Sequence, residues 1–373
     1  MNTSPSMKFY IWDQPRALKE IWNHHNEYTD SFSNYLADNQ FKKIYLLGGG
    51  TSLYDGFIIK YMINNFMKTR AEAIAPALFT NHECVNPSRD WDNSKECVIA
   101  ISITGTSVHS IMALKKAKEL GMATVAITAN ENSAICQYAD FVLKMMAEQE
   151  VTGPETRGYT VILATGYLAT LEAGKKMGTL SDTEYKKYMD DFSEFVDHYE
   201  QSLKECDDWY NRNKKDFIDM KKIAIAGSGV HYGTAMEGRL KLFETFSRGC
   251  TYYEMEEMIH GPMRAYDENN YLFFINPDGS EHERMLEIYD FVSQLTNHIY
   301  VVGGRGPDEN NPKDLDFSFK TNEYLQTIQY VGAFHLLSCL VSKDVGIDVD
   351  DYPLLRLKKQ PIAHLELNHL MHK

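Results

Sequence analysis

Blocks of apolar residues alternate with amphipathic stretches along this chain. A short run, Ile44 to Leu47, is apolar throughout and reads as a buried strand. Three glycines and Thr51-Ser52 follow it, and an amphipathic helix is predicted from there to about Lys68. The run CVIAISITGTS predicts a second strand leading into a helix over SVHSIMALKKAKELG. TVAIT and DFVLKM are shorter strand candidates, and residues 157–178 return to a helical pattern. Strands alternating with helices predict a parallel sheet covered on both faces, an α/β fold.

Between about Leu180 and Asp219 the strand pattern stops, and a polar helical connector is predicted. The opening pattern then returns. KKIYLLGGGTSLYDG from Lys42 is echoed by KKIAIAGSGVHYGTA from Lys221. YLFFINPDG and HIYVVGG predict further strands, and a helix from Tyr324 to Lys343 takes the place of the one at 157–178. The chain therefore reads as two copies of one α/β unit, each doubly wound. The expected divisions are a helical segment at 1–40, a first unit at 41–180, the connector at 181–219, a second unit at 220–347 and a C-terminal tail at 348–373.

Composition narrows the function. The chain has 373 residues, 43% hydrophobic and 24% charged, which suits a folded core, and its formal net charge of -14 argues against nucleic acid or an anionic membrane as partner. The six cysteines are scattered without a CxxC pair, as expected of buried thiols in a reducing compartment. The N-terminal residues lack the basic-then-apolar pattern of a signal peptide, and no apolar run nears the roughly 20 residues that span a bilayer. A cytoplasmic location is expected.

Two kinds of chemistry-bearing segment stand out. GGGTS, ending at Ser52, and SITGTS, from Ser102 to Ser107, each lie between a strand and a helix. Such a turn offers backbone N–H groups and the positive end of a helix dipole to an anion. Equally, Gly, Ser and Thr are ordinary turn formers and helix caps. Neither loop is a Walker A or a dinucleotide fingerprint. The second kind is the run KLFETFSRGCTYYEMEEMIHGP, read as an amphipathic helix from Lys241 closing in a turn at Pro262. Glu237, Lys241 and Glu244 fall on one helical stripe, with Met236, Leu240 and Phe243 beside it. That stripe fits a solvent-facing, salt-bridged helix edge. With His260 ahead of Gly-Pro, it also fits an acid–base pair for moving protons around a carbonyl carbon.

Together these segments resemble the SIS (sugar isomerase) family, in the tandem form found in the isomerase half of glucosamine-6-phosphate synthase and in related fructosamine-6-phosphate deglycases. The resemblance runs from about Phe41 to Lys358. MEGRLKLFE followed by IHGP matches the family's LEGALKLKE and KHGP at the same gap, and GTS with SITGTS matches its GTS and SQSGET. It implies that Ser52, Ser102, Thr104 and Ser107, with Thr51 alongside, hold a sugar phosphate. It implies that Glu244 shuttles a proton between C1 and C2, with Glu237 and Lys241 flanking the substrate. It further implies a homodimer in which the partner subunit's His260 opens the sugar ring. Lys358, five residues after Pro353 in DVDDYPLLRLK, matches the family's C-terminal lysine, and the tail is expected to close on the active site.

There are departures. Ile103 and Thr106 replace a Gln and a Glu of the family's loop, and the chain continues past Lys358 to HLELNHLMHK, whose histidines lack a tight metal spacing. The N-terminal Met1-Asn2 offers no nucleophilic cysteine, and no glutaminase domain is read before the first unit. The expected function is therefore cleavage of an amino-substituted sugar 6-phosphate, as a fructosamine-6-phosphate deglycase or an aminosugar-phosphate deaminase or isomerase, without metal or other cofactor. The alternatives are ammonia-dependent amination, aldose–ketose phosphate isomerisation, or a phosphosugar sensor without turnover.

Overall fold

The computed structural model describes residues 5–83, 92–146, 148–277, 279–308, 310–349 and 363–364. The chain clusters into two compact units, each discontinuous in sequence. The described part of the first takes residues 16–83, 92–146, 148–150 and 157–190 with 363–364, and that of the second takes 5–15, 151–156, 191–277, 279–308 and 310–349.

The first unit carries a five-stranded parallel sheet in the order β2-β1-β3-β4-β5. The strands are β1 (Lys43–Leu47), β2 (Arg70–Ile74), β3 (Glu96–Ile101), β4 (Ala123–Thr128) and β5 (Phe141–Lys144). β3 is buried at all its positions, as expected of a central parallel strand with both faces covered. One face packs Val98 and Ala126 against Ile111, Leu114 and Ala117 of the helix Val108–Glu119. The helices Thr51–Phe66 and Arg157–Lys176 pack against each other.

The second unit repeats the plan with four strands, in the order β7-β6-β8-β9. These are β6 (Lys222–Gly227), β7 (Gly249–Glu254), β8 (Asn270–Ile275) and β9 (Ile299–Val302). The helices His231–Thr245 and Glu323–Asp344 pair just as Thr51–Phe66 and Arg157–Lys176 do. The α/β architecture with two tandem parallel-sheet units is thus as read from the sequence.

Three elements differ from the reading. β2 (RAEAI) and β7 (GCTYYE), each at one edge of its sheet, lack a continuous apolar run and went unseen, whereas the opposite edges β5 (FVLK) and β9 (IYVV) are apolar enough to be read. The run from Lys241 is not a helix of its own. It holds the last turns of His231–Thr245 and then β7. The polar helix Asp182–Ile218 is built as expected, but it also buries Phe195, Tyr199, Cys206, Trp209 and Phe217 along one stripe. Cys97, Cys206, Cys250 and Cys339 are buried thiols outside any disulfide and Cys136 is half-buried. Among the described residues no helix is long and apolar enough to cross a membrane.

Candidate functional site

The two hydroxyl-rich loops follow β1 and β3, which are neighbours in the first sheet. From β1 the chain moves outward to β2 on one side, and from β3 to β4 on the other. In open parallel sheets this reversal opens a crevice at the carboxyl ends of the two strands, where ligands bind. Thr51 and Ser52 sit there in the first turn of the helix Thr51–Phe66, both buried. In the loop after β3, the Ser102 N–H donates to the Ile127 carbonyl at 2.9 Å and the Gly105 N–H donates to the Ser102 carbonyl at 2.9 Å. Gly105 has φ +67°, and a Cβ there would lie 1.8 Å from Ser133 Oγ, so only glycine closes this turn. Thr104 and Thr106 share a hydrogen bond between their hydroxyls at 2.8 Å. Ser107 stands at the N-cap of the helix Val108–Glu119, and its side chain makes no capping hydrogen bond. Thr104 and Ser107 are partly exposed, while Ser102 is buried.

One residue at this loop was not anticipated. His364 Nδ1 lies 3.2 Å from Thr106 Oγ1, His364 bridges Ser107 in antiparallel fashion, and the Val108 N–H donates to the Ala363 carbonyl at 3.1 Å. Its sequence signal was a histidine in an extended tail, which spacing alone could not place. Lys358 lies outside the described residues.

The second sheet has the same order, so its own reversal falls between β6 and β8. Ser228 follows β6 there, but its hydroxyl donates to Glu281 Oε2 at 2.7 Å, in the first turn of the helix Ser280–Val292. A carboxylate stands at the place where the first unit offers hydroxyls.

Glu237, Lys241 and Glu244 lie on the helix His231–Thr245; Glu237 and Lys241 face inward and Glu244 lies at the surface end of the stripe. Glu237 is 0% exposed and Lys241 1%, whereas Phe243 of the apolar stripe is 42% exposed. The surface-edge reading therefore fails for Glu237 and Lys241. The cause is Gly238. A Cβ there would come 2.7 Å from the Phe334 ring, so glycine lets this helix lie close against Glu323–Asp344. Lys241 Nζ is 3.3 Å from Glu237 Oε1 and 2.8 Å from Glu244 Oε2. Glu244 keeps about a third of its side chain in solvent, at 32%.

Burial works against the Lys241 charge, but Glu237 and Glu244, with Glu155 adding to them, outweigh it and raise its pKa, so the ammonium is held protonated. For Glu244 the balance runs the other way. Desolvation outweighs the neighbouring Lys241 and raises the carboxyl above its ordinary value. A carboxylate that is partly exposed and more basic than usual can take up a proton and give it back. His335, on Glu323–Asp344, places Nε2 3.6 Å from Glu237 Oε1. It was missed; its one local signal is a histidine inside the largely apolar stretch YVGAFHLL, which does not name its partners. His260 is exposed, in the turn between the short helices Glu256–Met258 and Pro262–Ala265. Among the described residues no hydrogen bond or ion pair joins it to Glu244.

These geometries can be set beside known proteins. The chain is 27% identical over 355 residues to the glutamine–fructose-6-phosphate aminotransferase (isomerizing) of Caldanaerobacter subterraneus subsp. tengcongensis, covering 91% of this chain and 56% of that protein. It thus spans little more than half the length of such relatives. A crystal structure from Clostridium difficile 630, described provisionally as a phosphosugar isomerase, superposes with a TM-score of 0.85 at 23% identity, over 95% of this chain and 99% of that one. The C-terminal domain of glucosamine-fructose-6-phosphate aminotransferase from Francisella tularensis superposes at 0.80 with 21% identity, over 93% and 98%. The SIS domain profile matches residues 39–172 and 216–305, more than half of the chain and one stretch in each sheet-bearing unit. The chain belongs to the SIS domain family.

Proposed function

We propose that this chain acts on a sugar 6-phosphate carrying an amine substituent, and that Glu244 moves a proton between C1 and C2. The observation that carries the reading is the pairing of a buried Lys241 with a partly exposed Glu244 whose basicity burial has raised. In a fructosamine phosphate, Glu244 takes a proton from C1 while the protonated amine gives one to O2, and the C1–C2 enaminol forms. The proton returns at C2, leaving an imine between C1 and the nitrogen. Water adds to that imine, the amine departs, and an aldose 6-phosphate remains. Glu237 is the fixed counter-charge that keeps Lys241 in place beside Glu244.

Two further observations support the substrate class. Ser52, Ser102, Thr104 and Ser107, with Thr51, would receive the phosphate at the β1/β3 reversal, through hydroxyls and the N-termini of two helices. Lys241 stands in the field of three carboxylates, Glu237, Glu244 and Glu155, an excess of negative charge that favours a protonated amine or iminium over a neutral hexose. The relatives' name joins fructose 6-phosphate to an amino group, which is consistent with both features. The reading includes a homodimer in which the partner subunit's His260 opens the ring; its exposure leaves it able to do so. Lys358 would serve as a cation near the developing oxyanion or as an imine-forming amine.

A turnover screen with fructosamine, glucosamine and hexose 6-phosphates tests this, with Glu244→Gln as control. Release of free amine is expected from an amine-bearing substrate, and Glu244→Gln should lose roughly two to four orders of magnitude in kcat with KM little changed. Turnover of hexose phosphates alone would replace the reading with aldose–ketose isomerisation. Tight binding with no turnover would make the chain a sensor.

A further inference from the structure

The helix Glu323–Asp344 is buried along almost its whole length, and His335 lies in it at 0% exposure. Its ring has polar neighbours on both sides. On one, the Tyr199 hydroxyl donates to Gln14 Oε1 at 2.6 Å, which orients the amide. The amide NH2 is thereby turned to His335 Nδ1, at 3.3 Å. An NH2 group can only donate, so Nδ1 accepts and the ring proton resides on Nε2. On the other side Nε2 faces Glu237 Oε1 at 3.6 Å. Burial lowers the histidine's pKa against the pull of Glu237, which favours the neutral ring. The polarity is then defined along four residues: Tyr199 to Gln14, Gln14 to His335, and His335 towards Glu237.

The consequence falls on Lys241, which divides its charge between Glu237 and Glu244. An N–H dipole aimed at Glu237 takes up part of that carboxylate's demand and leaves more of the ammonium to Glu244. We propose that His335 is a positioning residue that, as the Nε2–H tautomer, directs its N–H at Glu237 and so sets how Lys241 is divided between Glu237 and Glu244. This rests on the reading of Glu244 as the proton carrier. The 3.6 Å approach is about 0.5 Å longer than a formed hydrogen bond, so the N–H dipole acts on Glu237 electrostatically across that gap. A histidine that merely filled the core could carry its proton on either nitrogen without effect on Glu244.

The test begins with 15N-histidine-labelled protein, read by long-range 1H–15N correlation between about pH 5 and 8. One set of ring signals, absent from His335→Gln, should report a neutral ring protonated on Nε2 throughout. Tyr199→Phe, which releases the Gln14 amide to flip, should bring a mixture of tautomers. In kinetics His335→Leu should lower kcat roughly ten- to hundredfold while KM stays within about twofold. His335→Gln can restore an amide N–H near the place of Nε2 and should recover most of that loss. A ring protonated on Nδ1, or one that titrates in this range, overturns the proposal whatever the activity. His335→Gln as slow as His335→Leu, with both folded by circular dichroism, overturns it too. If no sugar phosphate is turned over by the unaltered chain, the functional reading fails, and the histidine spectra with and without Tyr199→Phe still decide the tautomer.

Discussion

Replacing Lys241 by Met keeps most of the side chain's length and removes its charge. The lysine is 1% exposed and its partner Glu237 is 0% exposed, so neither is shielded by water. At their 3.3 Å separation the attraction amounts to about 5 kcal/mol at an effective dielectric near 20, and the cost of drying the two charges offsets much of it. Removing one partner leaves the other's desolvation in place, so Lys241→Met should cost about 3–5 kcal/mol. A solvated pair at the same helical spacing would cost only about 0.3–0.5 kcal/mol. Urea unfolding at pH 7 of Lys241→Met, Glu237→Gln and the double variant measures the difference. The double variant should recover more than half of the loss, because both charges then leave together. At pH 5 the single variant should lose less. Without its cation the buried Glu237 has a raised pKa, and a raised carboxylate destabilises above that pKa and is relieved as protons bind. A loss under about 1 kcal/mol, with the two substitutions additive, would refute the reasoning and return the stripe to a helix edge.

Ser102→Ala combined with Thr104→Ala should weaken sugar phosphate binding by at least about tenfold, since hydrogen bonds to a charged group contribute roughly 1.5–3 kcal/mol each; unchanged affinity by calorimetry would remove this loop from the phosphate site. Asp314 accepts the Gly306 N–H at 2.7 Å, and its burial raises the pKa to about 6. Asp314→Asn should therefore stabilise at pH 7.5 by up to about 2–3 kcal/mol, with the gain shrinking as pH falls from 6 towards 4, and a gain that grows towards acid in thermal unfolding would contradict it.

Central strands were legible because parallel strands with both faces covered are apolar along nearly their whole length, here after a polar first residue. β1, β3, β6 and β8 announce themselves in this way. β2 and β7 do not, since their residues are mixed and only partly buried, while the other two edge strands, β5 and β9, keep an apolar run. The helical stripe was read with the right residues, but its pattern alone fitted both a solvent-facing edge and an inward acid–base site. Periodicity reports which side chains share a face, but which face is buried depends on what packs there. Here the decision lies with Gly238 and a partner helix almost a hundred residues away. His335 and Gln14 were out of reach for the same reason: they meet across a separation of 321 positions, and no local pattern encodes that. The hydroxyl loops were legible because strand, glycine turn and helix N-terminus are consecutive in sequence.

The two units share one strand order but need not share one ligand. In the first, the crevice at the β1/β3 reversal is lined by hydroxyls and meets the N-termini of two helices of 12 and 16 residues. In the second, the equivalent position holds Ser228 already donating to the Glu281 carboxylate. An incoming phosphate there would meet a like charge and would have to displace a charge-assisted hydrogen bond, each unfavourable by more than about 1 kcal/mol. Duplication thus supplies two crevices, and a single acidic side chain is expected to close one of them to anions. Calorimetric titration with a sugar phosphate should give one phosphate-dependent site per chain, and Ser102→Ala with Thr104→Ala should weaken that site rather than halve the stoichiometry. Two sites per chain, with one insensitive to the loop substitutions, would show that Glu281 does not exclude the anion and that the second crevice retains the first one's function.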